Sequence, residues 1–189
     1  VFTSLKTQSD IFSTPAFAPP PELAWENYAE SIERGNLLNA ISNTLIISLI
    51  KVPLGLLVAS LAAFAISRLR LPYPKIILGF FVLGTMIPIQ VALGPLFHII
   101  LKLNLLNTKI GVILPYIAFG IPYQIFTLYG FFSVIPREID ESARVDGATN
   151  LQIYWRIILP LARPALAALF VLDFVATWNE FAKIGRAHV

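Results

Sequence analysis

Four long apolar segments constrain this chain more than any other feature of its sequence. They cover residues 45–66, 76–101, 111–132 and 161–181. A helix of about 20 apolar residues rises about 30 Å, which matches the hydrocarbon core of a bilayer. The segments therefore predict an all-α fold, a polytopic bundle of transmembrane helices with four spans.

The composition agrees with a membrane protein. Of the 189 residues, 57% are hydrophobic and only 13% are charged. The net charge of +3 comes mostly from loop Lys and Arg, and no basic run alternates with aromatic residues, so a nucleic-acid partner is not expected. The absence of cysteine excludes disulfides and Cys-based metal sites.

The distribution of basic residues predicts the orientation of the spans. Three basic residues flank the loops assigned to the outer side: Arg34, Lys102 and Lys109. Seven lie in the two loops assigned to the inner side: Arg68, Arg70, Lys75, Arg137, Arg144, Arg156 and Arg163. Since cytoplasmic loops carry an excess of Lys and Arg, residues 68–75 and 136–160 are predicted to be cytoplasmic.

The stretch 138–160, EIDESARVDGATNLQIYWRIILP, is a polar segment between two apolar ones. Pro136 suits the first turn of a helix, and the acids that follow it are favoured there by the helix dipole. We expect Asp140 to pair with Arg144 on a solvated face, four residues along the helix. Gly147 would end this helix in a left-handed conformation.

A second short helix is predicted directly after that turn. Thr149 or Asn150 can cap its start, and Pro160 is expected to stop it. Two short helices joined by a sharp turn form a knob that fits a groove on another protein.

The spacing within this stretch resembles the EAA loop of binding-protein-dependent ABC importer permeases. Glu141-Ser142-Ala143 is followed after three residues by Gly147, and after nine more by Ile157-x-Leu159-Pro160. Ser142 replaces the usual first Ala. The resemblance implies a type I permease fold whose cytoplasmic coupling helices dock onto ATP-binding subunits. The positions it assigns to ATPase coupling are Glu138, Glu141, Ser142, Ala143, Asp146, Gly147, Ala148, Ile157, Leu159 and Pro160.

Further motifs resemble the carbohydrate-uptake branch of that family. They are MIPIQ at 86–90, GIPYQIF at 120–126 and WNEF at 178–181, and the likeness covers about Ser4–Phe181. It implies a multi-pass subunit of a prokaryotic cell membrane, with a second permease subunit and an extracytoplasmic solute-binding protein as partners. It also implies a sugar substrate, no cofactor in this chain and ATP hydrolysis in another one.

A sugar path requires aromatic faces and polar acceptors at membrane depth. The available groups are Gln90, Tyr123, Gln124, Asp173, Asn179 and Glu180. Asp173 lies ten residues beyond Arg163, about 15 Å into the bilayer, and is either a functional carboxylate or a buried structural one. Lys51 lies 17 residues before Arg68, and we expect it to snorkel to the outer headgroups, with a lysine of the translocation path as the alternative.

The ends of the chain are assigned separately. Residues 1–38 are predicted to be an extracytoplasmic loop with a short amphipathic helix at Leu23–Glu33, and residues 39–181 the permease domain. The family resemblance implies one span before Val1 and at least one after Phe181. Residues 182–189 depart from the family pattern, and we interpret them as a non-native tail.

No catalysis is predicted. The sequence has no P-loop pattern and no metal-ligand spacing, and Glu138, Asp140 and Glu141 are interpreted as an exposed helix start. Two other hypotheses stay open: an ABC permease for a polyamine, amino acid or phosphate, and a secondary transporter.

Overall fold

A computed structural model describes residues 3–15, 17–34 and 37–184. Within these ranges the regular structure is helical and contains no strand. The chain divides into two compact units, residues 1–44 and 45–189.

The first unit is held together by polar contacts around a buried lysine. It contains a short 3₁₀ turn at Thr3–Leu5, helix α1 at Gln8–Ser13 and helix α2 at Glu26–Arg34. The Lys6 ammonium donates to Thr14 Oγ1 at 2.8 Å and to the Pro15 carbonyl at 2.7 Å. The helix predicted at Leu23–Glu33 corresponds to α2, which begins three residues later.

The remaining helices follow in chain order. They are α3 (Leu37–Arg68), α4 (Pro74–Thr85), α5 (Ile89–Lys102), α6 (Lys109–Val134), α7 (Arg137–Val145), α8 (Asn150–Ile153), a π-helical turn (Tyr154–Ile158), α9 (Leu159–Leu161) and α10 (Arg163–Ile184).

Two of these helices, α3 and α6, are each long and apolar enough to cross a membrane. Two further candidates are bent pairs: α4 with α5, at 96°, and residues 150–161 with α10, at 73°. The span predicted over residues 76–101 is thus two helices. Pro88 is the extended N-cap of α5, and its missing N–H cannot continue the hydrogen-bond pattern of α4.

The core of the second unit lies where α3, α6 and residues 153–162 meet. Leu128 and Phe132 of α6 are buried in the same apolar cluster as Ala59 and Ala63 of α3. Ile153, Tyr154 and Ile158 close the core from the loop side. Small residues on α3 permit this close approach, as is common between membrane helices.

Most other large apolar side chains face outward. Phe80, Val91, Leu114 and Leu172 are all more than half exposed, on four different helices. Such a surface would promote aggregation in water, whereas in a bilayer it faces lipid or neighbouring helices.

Candidate functional site

The first half of the predicted coupling loop is helix α7. It begins after Pro136, which is its N-cap, and Glu138 and Asp140 lie in its first turn. The negative side chains there interact favourably with the N-terminal end of the helix dipole.

Gly147 ends this region with the left-handed conformation that the sequence predicts. Its φ is +82°, and its N–H donates to the Arg144 carbonyl at 3.0 Å. The Ala148 N–H donates to the Ala143 carbonyl at 2.9 Å. The two bonds form a Schellman motif, which satisfies carbonyls that the end of α7 would otherwise leave unpaired.

Thr149 starts the second helical stretch through a capping box. Its hydroxyl accepts from the Gln152 N–H at 3.3 Å, and Gln152 Oε1 accepts from the Thr149 N–H at 2.8 Å. This confirms Thr149 as the N-cap. The stretch includes a π-helical turn and ends at Leu161, one residue after Pro160, and the chain then bends by 73° into α10.

The positions assigned to ATPase coupling divide into an exposed and a packed set. Glu138, Glu141, Ser142 and Asp146 are exposed polar residues, and Gly147 is exposed beside them. The packed set lies partly buried against the core, and it consists of Ala143, Ala148, Ile157 and Leu159, with Pro160 also partly buried. One set can face a partner while the other holds the loop on the helices.

The sequence analysis did not single out three exposed apolar residues of this loop, of which Trp155, at 48%, is the least exposed. Val145 is 88% exposed at the end of α7, and Leu151 is 60% exposed in α8. Their neighbours Arg144, Asp146 and Gln152 are also exposed. An apolar residue within a polar, exposed loop is the only sequence signal that could have marked them.

Asp140 does not pair with Arg144, so that prediction was wrong, as was the prediction of an exposed carboxylate. Its side chain is 4% exposed, and Oδ2 accepts from Arg68 Nη1 at 3.1 Å. Position 140 faces the end of α3, where Arg68 provides a buried cation, and Arg144 donates instead to the Arg68 carbonyl at 3.5 Å.

A second buried polar cluster joins α3, α6 and α10. Lys51 Nζ lies 2.5 Å from Asp173 Oδ1 and donates to Thr177 Oγ1 at 3.1 Å. Gln124 Nε2 donates to Asp173 Oδ2 at 3.0 Å. The Asp173 carboxylate, on α10, thus accepts hydrogen bonds from side chains of α3 and α6.

The prediction that Lys51 snorkels to the outer headgroups was wrong. Its side chain is only 6% exposed, because Asp173 and Thr177 lie on the helix face that α3 meets. Burial of a cation is costly unless it is paired, and the carboxylate supplies the pair. Asp173 itself is 17% exposed and keeps some access to the surroundings.

Three other residues proposed for a substrate path do not join this cluster. Gln90, Tyr123 and Asn179 are exposed on α5, α6 and α10. The side chain of Glu180 lies outside the described residues. Among the path candidates whose side chains the structure describes, Gln124 and Asp173 are the two that the fold brings together.

A buried hydrogen bond also links α3 to the second half of the predicted coupling loop. Ser60 Oγ and the Tyr154 hydroxyl are 2.7 Å apart, and both residues are buried. The Tyr154 ring also lies against Phe64, with centroids 5.3 Å apart. Within the described ranges, no group of His, Asp or Glu is placed to hold a metal ion.

The fold and the site define a helical membrane protein with a polar helix–turn–helix loop. Residues 36–184 match the family described as the binding-protein-dependent transport system inner membrane component. The chain belongs to this family, as the EAA-like spacing predicts.

Similarity to permeases named for particular transport systems supports the same family membership. The chain is 33% identical over 181 residues to the diacetylchitobiose uptake system permease protein NgcG of Streptomyces coelicolor, covering 96% of this chain and 60% of that protein. It is 37% identical over 162 residues to the trehalose transport system permease protein SugB of Mycobacterium tuberculosis, covering 85% and 59%.

A third relative is the probable starch degradation products transport system permease protein AmyC of Thermoanaerobacterium thermosulfurigenes. It is 35% identical over 178 residues, covering 94% of this chain and 64% of that protein. The chain spans about three fifths of the length of these curated relatives.

Proposed function

We propose that this chain is part of the permease subunit of an ATP-driven sugar importer, a multi-pass protein of a prokaryotic cell membrane. The observation that carries the proposal is the loop at 136–161, with its Schellman turn at Gly147 and its capping box at Thr149. Several relatives of the chain are permeases named for the uptake of a sugar or a sugar conjugate, which favours a sugar over other solutes.

The loop is proposed to dock onto an ATP-binding subunit. Its exposed face combines carboxylates at Glu138 and Glu141 with an exposed apolar residue, Val145. A partner groove could cover the apolar residue and pair with the carboxylates, as in recognition of a helix by a groove. The packed residues Ala143 and Ile157 would carry the force of docking into the core.

The solute path is proposed to pass the cluster at Gln124 and Asp173. Asp173 is partly exposed, and its carboxylate can accept hydrogen bonds from hydroxyl groups. Gln90 on α5, Tyr123 on α6, and Asn179 and Glu180 on α10 remain proposed path residues. A solute-binding protein outside the cell and a second permease subunit would complete the importer.

The experiment uses a photo-crosslinking amino acid in the full-length protein, in intact membranes. Placed at Ser142, on the exposed face of α7, it should capture an ATP-hydrolysing subunit. The matched control is Phe80, which is 73% exposed on the apolar helix α4 and should not capture one. Capture of no such subunit from Ser142 would contradict ATP-driven coupling and favour a secondary transporter.

Uptake assays then test the solute. Cells that carry the importer should accumulate labelled disaccharides or oligosaccharides, and deletion of this gene should abolish the uptake. Unchanged sugar uptake, together with loss of polyamine, amino acid or phosphate uptake, would replace the sugar with another solute class.

A further inference from the structure

Three helices meet at the guanidinium group of Arg68. This residue ends α3, and its Nη1 donates to Asp140 Oδ2 of α7 at 3.1 Å. Its Nη2 donates to the Phe132 carbonyl and, at 2.6 Å, to the Ile135 carbonyl. These carbonyls lie at the C-terminal end of α6, where the helix dipole favours a cation.

Helix α7 makes hydrogen bonds back to the end of α3. Arg137 Nη2 donates to the Ser67 carbonyl at 3.4 Å, and Arg144 Nη2 donates to the Arg68 carbonyl at 3.5 Å. Contacts therefore run in both directions between the two helices. They involve backbone carbonyls, whose positions are fixed by the helix that carries them.

The Arg68 side chain is 1% exposed, whereas Arg70, two residues later, is exposed. A buried ion pair is weak evidence for stability, because well-packed apolar residues often serve as well. Its geometry, however, allows only a narrow range of positions, since a planar guanidinium that reaches three acceptors fixes their mutual orientation. The contact is thus suited to fixing the orientation of α7 relative to the ends of α3 and α6.

We propose that Arg68 is a positioning residue for coupling: with Asp140 it holds α7 at a fixed angle to the ends of α3 and α6. A displacement of α7 then moves both long helices together. This inference rests on the proposed function, since it assigns the contact through which a docked ATPase acts on the helices. Without the contact, α7 would turn on its short link to α6, and ATP hydrolysis would produce less transport.

The experiment measures solute uptake and ATP hydrolysis by the complete importer in proteoliposomes. Arg68→Lys keeps the positive charge but loses the planar guanidinium that reaches several acceptors at once. Asp140→Asn keeps the shape of the side chain but loses its negative charge. Each variant should lower the ratio of solute moved to ATP hydrolysed about three- to tenfold, the scale on which single side chains alter coupling. The ATP-binding subunits should still co-purify in wild-type amounts.

Arg70→Gln is the matched control, because it removes an exposed cation from the same end of α3. It should leave the ratio unchanged. The double variant Arg68→Lys/Asp140→Asn should be no worse than the more severe single variant, because both changes break one contact.

Several outcomes overturn the inference. They are an unchanged ratio in both single variants, an equal loss in Arg70→Gln, additive losses in the double variant, or failure of both single variants to assemble while Arg70→Gln assembles. The last result would make the contact a folding element only. If the wild-type importer retains no ATP-hydrolysing subunit, the proposed function fails instead, and the two failures are thereby distinguished.

Discussion

Helix α3 carries two buried cations, and their surroundings differ in a way that separates two tasks. Arg68 is paired with Asp140, and its Nη2 donates to two backbone carbonyls at the C-terminal end of α6. Lys51, 17 residues earlier, is paired with Asp173 and also donates to the Thr177 hydroxyl. The first contact is anchored to backbone, whereas the second is made wholly between side chains.

This difference indicates which contact can rearrange. Backbone carbonyls move only with their helix, and a planar guanidinium holds them in a fixed pattern. A lysine ammonium is a point charge on a flexible stem, and Asp173 is 17% exposed while Asp140 is 4% exposed. The contact between Lys51 and Asp173 is therefore the more easily rearranged of the two, and the Arg68 contact is the more rigid.

The largest expected effect comes from removing the carboxylate of Asp173, which pairs with Lys51. Asp173→Ala should lower the free energy of unfolding by about 3–5 kcal/mol, because Lys51 stays buried without a counter-charge. Thermal denaturation of the full-length protein in detergent measures the loss. Adding Lys51→Met should recover most of it, since the unpaired cation is then gone.

The isosteric variant separates stability from transport at the same position. Asp173→Asn keeps a group that can accept from Gln124, so its stability loss should be smaller. Uptake kinetics should change while the ATP-binding subunits still co-purify. Unchanged uptake would make Asp173 merely structural, and a Lys51→Met/Asp173→Ala protein as unstable as Asp173→Ala would refute the charge explanation.

An intermediate effect is expected at the turn of the coupling loop. Gly147→Val should destabilise the local turn by about 1–3 kcal/mol, because a β-branched residue resists a φ of +82°. No atom lies within 4 Å of a Cβ placed at this position, so the cost comes from the backbone alone. Transport should become uncoupled from ATP hydrolysis, or assembly should fail, as measured by uptake and co-purification.

Gly130→Val is the matched control for that change. Gly130 lies inside α6 and likewise has no atom within 4 Å of an added Cβ, but its φ is not positive. The variant should assemble and transport normally. Normal uptake by Gly147→Val would show that the turn geometry does not matter for docking.

Local features of the coupling loop could be predicted from the sequence, whereas its long-range contacts could not. The Gly147 turn and the Thr149 cap depend on residues at most five positions apart, and their spacing is visible in the chain. The apolar lengths of α3 and α6 are equally local. By contrast, Lys51 and Asp173 are 122 residues apart, and Arg68 and Asp140 are 72 apart.

The misplaced residues share one physical reason. Hydropathy gives the length of a helix, but the rotation of that helix about its axis is fixed by packing against its neighbours. Lys51 could face headgroups or protein, and Asp140 could face solvent or α3, at no cost visible in the sequence. The packing of α3 against α10 fixes the direction of Lys51, and the packing of α7 against the end of α3 fixes that of Asp140.

The smallest expected effect tests whether the second half of the loop relies on its cap or on its buried face. Helix α8 has four residues, and Thr149 forms its capping box with Gln152. Thr149→Ala should cost about 1 kcal/mol, so that the amide of Gln152 exchanges its hydrogen about fivefold faster in the full-length protein. Thr149→Ser keeps the hydroxyl and should exchange at the wild-type rate. Unchanged exchange in Thr149→Ala would assign the order of this stretch to buried Ile153 and to the Ser60–Tyr154 hydrogen bond. The loop would then be held by α3 along its whole length, at Tyr154 as well as at Arg68.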